Sequence, residues 1–128
     1  MQTLQYESSW DKTISNKDRK TIEEIFLETS LPNHSLIQFT PLWQAMNHKD
    51  ELLVTVLVHN FSHQVCSFIS KKLRYLENNE IIAEHTFTLP SLTVPPETSM
   101  PWTFIFPVES LKSHGSLENG RLVCFNAV

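Results

Sequence analysis

His59, His63 and Cys66 stand in an H-x3-H-x2-C spacing, and imidazole nitrogen with thiolate sulfur is a donor set that tetrahedral zinc accepts. A closed structural site needs a fourth ligand, for which Cys124 and His48 are the available side chains. The stretch His59-Asn60-Phe61-Ser62-His63 reads more simply as a strand end passing into a turn, where polar residues need no metal. The favoured reading assigns none, with His59, His63 and Cys66 as the candidates should a metal bind. His85 falls between Ala83 and Phe87 on the inner face of a strand, within imaginable reach of Cys66 or Cys124 as a nucleophile–base pair. A buried histidine bonded to a backbone carbonyl explains the same position. Glu23-Glu24 and Asp50-Glu51 are sequence neighbours, which point to different faces of a helix or strand and make poor acid–base couples. No serine stands in a G-x-S-x-G turn. The residues thus predict no catalytic group, no cofactor and no enzyme.

Bulk composition narrows the classes further. The two glycines, Gly115 and Gly120, are too few for any glycine-rich phosphate loop or dinucleotide fingerprint, which need glycine for close backbone approach to phosphate. Net charge is −4 and the cations are scattered, so nothing draws the chain to nucleic acid or an anionic membrane. The densest basic stretch, Lys71-Lys72-Leu73-Arg74, reads as a solvated strand face. Cys66 and Cys124 are too few for a disulfide framework and are predicted to be free thiols. No run approaches the roughly 18–20 apolar residues of a membrane helix. The opening MQTLQYESSWDK has no basic start, apolar core or cleavage site, and a cytoplasmic protein is the expectation.

The 128 residues suffice for one domain that buries roughly 65–70% of its unfolded surface. One amphipathic helix is predicted near the N-terminus. Ser15 or Asn16 caps it, Ile22, Ile25 and Phe26 form its apolar stripe, and it stops near Ser30 because Pro32 disfavours helical geometry before it. The rest reads as strands. Ile37, Phe39, Trp43 and Ala45 line one face of the first. Leu52, Val54, Val56 and Val58 line one face of the next, with Leu53 and Leu57 on the other, so that strand is covered on both sides. A strand from about Val65 to Glu77, kinked near Ser70, turns at Asn78-Asn79 into a strand with Ile81, Ala83, Phe87 and Leu89 inward. Pro90, Pro95, Pro96 and Pro101 are expected to break LPSLTVPPETSMPWTFIFP into a strand end, an edge piece at Leu92 to Val94 and a turn. Trp102, Phe104 and Phe106 then start a new inward face, and Arg121 to Phe125 form the last strand. The pattern predicts a mainly β fold, an antiparallel immunoglobulin-like β-sandwich with one N-terminal helix. Its arm and helix occupy about 8–30 and its sandwich about 35–126. Trp43 and Trp102 fit core faces. Trp10, in SSWDK, either staples the arm to the sandwich or faces a partner.

Three stretches together carry a family likeness: SSWDKTIS with DRKTIEEIF, FTPLWQAMNHKDELLVTVLVHN, and IIAEHTFTLPSLTVPPETSMPWTFIFP. They resemble the SLAP domain of Firmicutes, mainly Bacillus and relatives, whose founding members are S-layer assembly proteins of an accessory Sec system. The likeness runs from about Ser8 to Pro107. It implies a non-enzymatic accessory factor whose protein partners are an accessory translocation ATPase or a surface-layer precursor. The founding proteins resemble two such domains in tandem, whereas this chain is a single-domain member, and a homodimer would rebuild the tandem. The rival readings are an extracellular or cell-wall adhesion module of immunoglobulin-like layout, and a small metal-binding protein.

Overall fold

The computed structural model describes residues 2–31 and 36–124. In chain order the elements are β1 (Thr3–Leu4), α1 (Ser8–Thr13), α2 (Asn16–Thr29), β2 (Ile37–Met46), β3 (Leu52–Asn60), β4 (Cys66–Glu77), β5 (Glu80–Val94), β6 (Thr98–Phe106) and β7 (Gly120–Cys124). A single 3-10 turn, Val108–Ser110, lies between β6 and β7. One sheet has the order β1-β6-β3-β2 and the other β5-β4-β7. The sheets meet over one apolar cluster, in which Val54, Val56, Phe104 and Phe106 of the first face Phe68, Leu73, Phe87 and Leu122 of the second. Phe87 lies edge-on to both Phe104 and Phe106, with centroids 5.3 and 5.1 Å apart, the arrangement that ring quadrupoles favour. The fold is the mainly β sandwich that the alternation predicts.

Strand β3 is apolar on both faces, and this explains the helix. Leu57 points away from the inter-sheet core yet is fully buried, on the face where α2 reaches β3 through the contact of Thr29 with His59. Burying a leucine so completely is worth about 1.5–3 kcal/mol. Helix α2 forms where expected. The Ser15 side chain caps it by accepting from the Asp18 N–H at 3.0 Å, Ile22 is buried on its apolar stripe, and the last helical residue is Thr29. Pro32 lies outside the described residues. A second helix, α1, was not expected. The Glu7 side chain caps it, and Arg19 of α2 clamps it, donating to the Asp11 carbonyl at 3.0 Å and pairing with the Asp11 carboxylate at 3.1 Å. The same guanidinium lies 4.7 Å from the centroid of the Tyr6 ring.

The structure corrects three strand expectations. In β2 the register against β3 shifts between Pro41 and Trp43. Phe39 opposes core-facing Val58, but Trp43 opposes Thr55 and Ala45 opposes Leu53, so the bulge turns Trp43 and Ala45 to the outer face. In β5 a shift opposite Tyr75 and Leu76 makes Ile82, not Ile81, the core residue. The prolines are the third correction: β5 runs on through Pro90, and β6 starts at Thr98 and contains Pro101. A missing N–H costs a strand only on the side that has a partner. Strand β5 ends its sheet, and β1 covers only Thr98 and Ser99 of β6. Pro101 therefore lies beyond the stretch that β1 pairs. Pro41 likewise sits in edge strand β2. The two hairpin features hold as expected, with Ser70 at φ 51° in a β4 irregularity and Asn78 and Asn79 at φ 50° and 69° in the turn. Strand β7 spans Gly120–Cys124, and Phe125 lies outside the described residues.

Both glycines serve one buried pair. Tyr75 donates to Glu77 Oε2 at 2.8 Å, and the same carboxylate accepts from the backbone N–H of Ser116 at 2.8 Å and of Leu117 at 2.9 Å. Burial pushes the Glu77 carboxyl up, but the Ser116, Tyr75 and Leu117 donors outweigh it and hold the group below its ordinary range. A Cβ on Gly115 would stand 2.9 Å from Glu77 Oε2, and one on Gly120 would overlap the Tyr75 phenol. Strand β7 and its preceding loop can approach β4 only without side chains at these points. Replacing Gly120 with alanine should therefore destabilise the protein by about 1–3 kcal/mol, the usual cost of overpacking. Urea denaturation compared with the parent chain measures this, and an unchanged midpoint would show that the Tyr75 ring yields freely.

Candidate functional site

His59 is fully buried on the outer face of β3, beneath α2, and belongs to a hydroxyl network. Its Nδ1 is 2.6 Å from Ser99 Oγ, and its Nε2 is 3.2 Å from Thr29 Oγ1 and 3.0 Å from Thr40 Oγ1. The Thr29 hydroxyl already donates its single proton to the Ile25 carbonyl at 2.7 Å. It must accept from the imidazole, which places the proton on Nε2 and leaves Nδ1 to accept from Ser99. Gln2 donates to Ser99 Oγ and to the Asn60 carbonyl, both at 3.1 Å. One neutral ring thus ties the N-terminal arm, α2, β2 and β6 to the central strand. Burial lowers the His59 pKa to about 4.

The other sequence candidates lie apart from this network. His63 is exposed, 3.5 Å from a Glu97 carboxylate oxygen. Cys66 opens β4 half-buried against the core, and burial pushes its thiol up. His48 and Cys124 are exposed. Among the described residues no three His, Cys, Asp or Glu side chains are grouped to hold a metal ion. His85 pairs with Leu73, and Leu73 with Cys124 on its other side. That puts two strand spacings, roughly 9–10 Å, between His85 and Cys124. His85 is half-buried with its ring edge-on to Phe87, centroids 4.8 Å apart.

An open groove lies around Trp10 and Trp43. Arg19 fixes α1 against α2, the β2 bulge turns Trp43 outward, and between them opens a groove of about 470 Å³ lined by Ser9, Trp10, Thr13, Ile14, Ser15, Asp18 and Trp43. Among the described residues neither indole stacks on another ring, unlike Phe39, Phe68 and Phe104 in the core. Trp43 is followed on the same face by exposed Ala45, which opposes half-buried Leu53 and then Ile105, 48% exposed. The groove therefore continues onto an apolar strip of sheet that α2 leaves uncovered. Trp10, which the sequence left as either a staple or a partner-facing residue, is half-buried and lines this groove. Trp43 was missed because simple alternation put it in the core, and the one warning was the proline two residues before it. Trp102, in contrast, packs against the core as expected.

These features define a β-sandwich domain with an open aromatic groove on one sheet face. A match to the family model of the SLAP domain covers residues 4–125, and the chain belongs to that family. The match extends beyond the resembling stretches at both ends. No curated protein and no solved structure matches the chain. Among the described residues no helix is long and apolar enough to cross a membrane.

The buried imidazole makes stability depend on pH. The unfolded chain takes up a proton on His59 near pH 6.5, whereas the folded one resists until about pH 4. Stability is complete above pH 6.5, falls as pH drops towards 4, and loses roughly 2–3 kcal/mol over that window. Urea denaturation between pH 7.5 and 4.5 should show this slope. The His59→Gln variant should lose it and be about 1–2 kcal/mol less stable at pH 7. An equal slope in parent and variant would locate the titration elsewhere.

Proposed function

We propose that this chain is a non-enzymatic protein-interaction module that works in the cytoplasm on surface-layer proteins or on the translocation ATPase of an accessory Sec system. The observation that carries the reading is the Trp10–Trp43 groove with its apolar strip. Tryptophan supplies large contact area and dominates interface energetics, and here two half-buried indoles border one opening. Family membership supplies the surface-layer connection. Backbone addition of a client strand is the competing mode. The prolines favour the groove instead, since Pro41, Pro90 and Pro101 lie in strands β2, β5 and β6, each of which has an open edge, and proline at an edge discourages pairing with another chain. For the fold we propose an immunoglobulin-like layout. Strand β3 lies between β2 and β6 as B lies between A and E, and β4 lies beside β7 as C lies beside F.

The test is quantitative capture from a lysate of the source bacterium with the full chain as bait. A surface-layer precursor or a translocation ATPase should be enriched, and a Trp10→Ala/Trp43→Ala variant of normal thermal stability should capture at least tenfold less. That loss corresponds to truncating one or two interface anchors of about 2 kcal/mol. Absence of both clients would remove the secretion role. Undiminished capture by the double variant would remove the groove.

A further inference from the structure

We propose that the Trp10–Trp43 groove recognises a cationic side chain, arginine or lysine, set in an apolar stretch of the client; this rests on the groove being the docking site. Three features point to a cation. First, the polar groups lining the groove differ in what they have left to offer. The Ser15 oxygen already caps α2, the Ser9 hydroxyl already donates to the Glu7 carboxylate, and the Thr13 hydroxyl already donates to the Ser9 carbonyl at 2.8 Å. Asp18 is half-buried, and among the described residues its carboxylate has no hydrogen-bond or ion-pair partner. Second, Asp18 is the only charged residue among the described ones that line the groove. The partial positive charge at the start of α2, about half a unit, offsets that carboxylate only in part. Third, two indoles lining a groove with a carboxylate suit a guanidinium or ammonium, which gains from the ring quadrupole and from the opposite charge.

The apolar strip supplies the rest of the recognition. Ala45, Leu53 and Ile105 offer contact to uncharged side chains flanking the cation. At longer range the chain as a whole, with net charge −4, favours approach of a basic segment over an acidic one. The same chain already holds one guanidinium in this way, Arg19 over the Tyr6 ring beside the Asp11 carboxylate.

The probes are acetyl-Leu-Arg-Leu-amide and its citrulline counterpart, which keeps the shape of arginine and removes the charge. Each is titrated into the isotopically labelled full chain while the three indole N–H resonances are followed by NMR. The arginine peptide should shift Trp10 and Trp43 saturably and leave Trp102 in place. The citrulline peptide should bind roughly fivefold more weakly. An Asp18→Asn variant should weaken the arginine peptide by a similar factor and leave the citrulline peptide unchanged. Equal binding of the two peptides, or equal weakening of both by Asp18→Asn, overturns the assignment. If neither peptide moves the indoles while lysate capture still depends on Trp10 and Trp43, the cation assignment alone falls. If capture ignores both tryptophans, the docking reading falls with it.

Discussion

Strand β3 cannot be satisfied by one sheet packing on another. Val54, Val56 and Val58 face the inter-sheet core, and Leu53 and Leu57 face the opposite way. A sandwich of two bare sheets would leave those leucines in water on the sheet's outer surface. Helix α2 meets this face at His59 through Thr29, and the N-terminal arm joins the same network through Gln2 and Ser99. The covering is fastened by polar contacts as well as by burial, because His59 lies on the same face and must have partners for both ring nitrogens. Threonines from α2 and β2 and a serine from β6 supply them.

That covering is partial, and part of the sheet's outer face stays open to solvent. The helix reaches the Leu57 and His59 end of the outer face and leaves Leu53, Ala45 and Ile105 open at the other. Trp43 belongs to this surface only because of the bulge in β2. Without the extra residue it would point inward with Phe39, and the groove beside Trp10 would lose one wall. A single-residue irregularity thus moves a large aromatic from the inter-sheet core to the outer face of the sheet.

The second sheet is governed by a different constraint, the disposal of a buried charge. A carboxylate at Glu77 can sit at the sheet's end only if enough donors surround it. The Tyr75 hydroxyl and the amides of Ser116 and Leu117 do so, which draws the loop before β7 tightly over the pair. A chain with two glycines has placed both at that closure.

What the sequence determined by itself is whatever depends on local periodicity and local backbone chemistry. The apolar alternation of β3, the Ser15 cap of α2, the Asn78-Asn79 turn and the inward face of Trp102, Phe104 and Phe106 follow from spacing and φ preferences, and the structure has them. The stretches that resemble the SLAP family likewise lie within the residues that match it. The tertiary structure decided everything that depends on which strand lies next to which. Proline looked like punctuation because an N–H is needed only where a neighbour exists, and edges are a property of the assembled sheet. Trp43 looked like core because a bulge resets the period and leaves no periodic signature of its own. His59 looked like a loop residue or a ligand because its partners, Thr29, Thr40 and Ser99, come from three elements far apart in the chain. Long-range partners of this kind are written in no local pattern, since folding brings them together only when the apolar faces on either side of β3 are both covered.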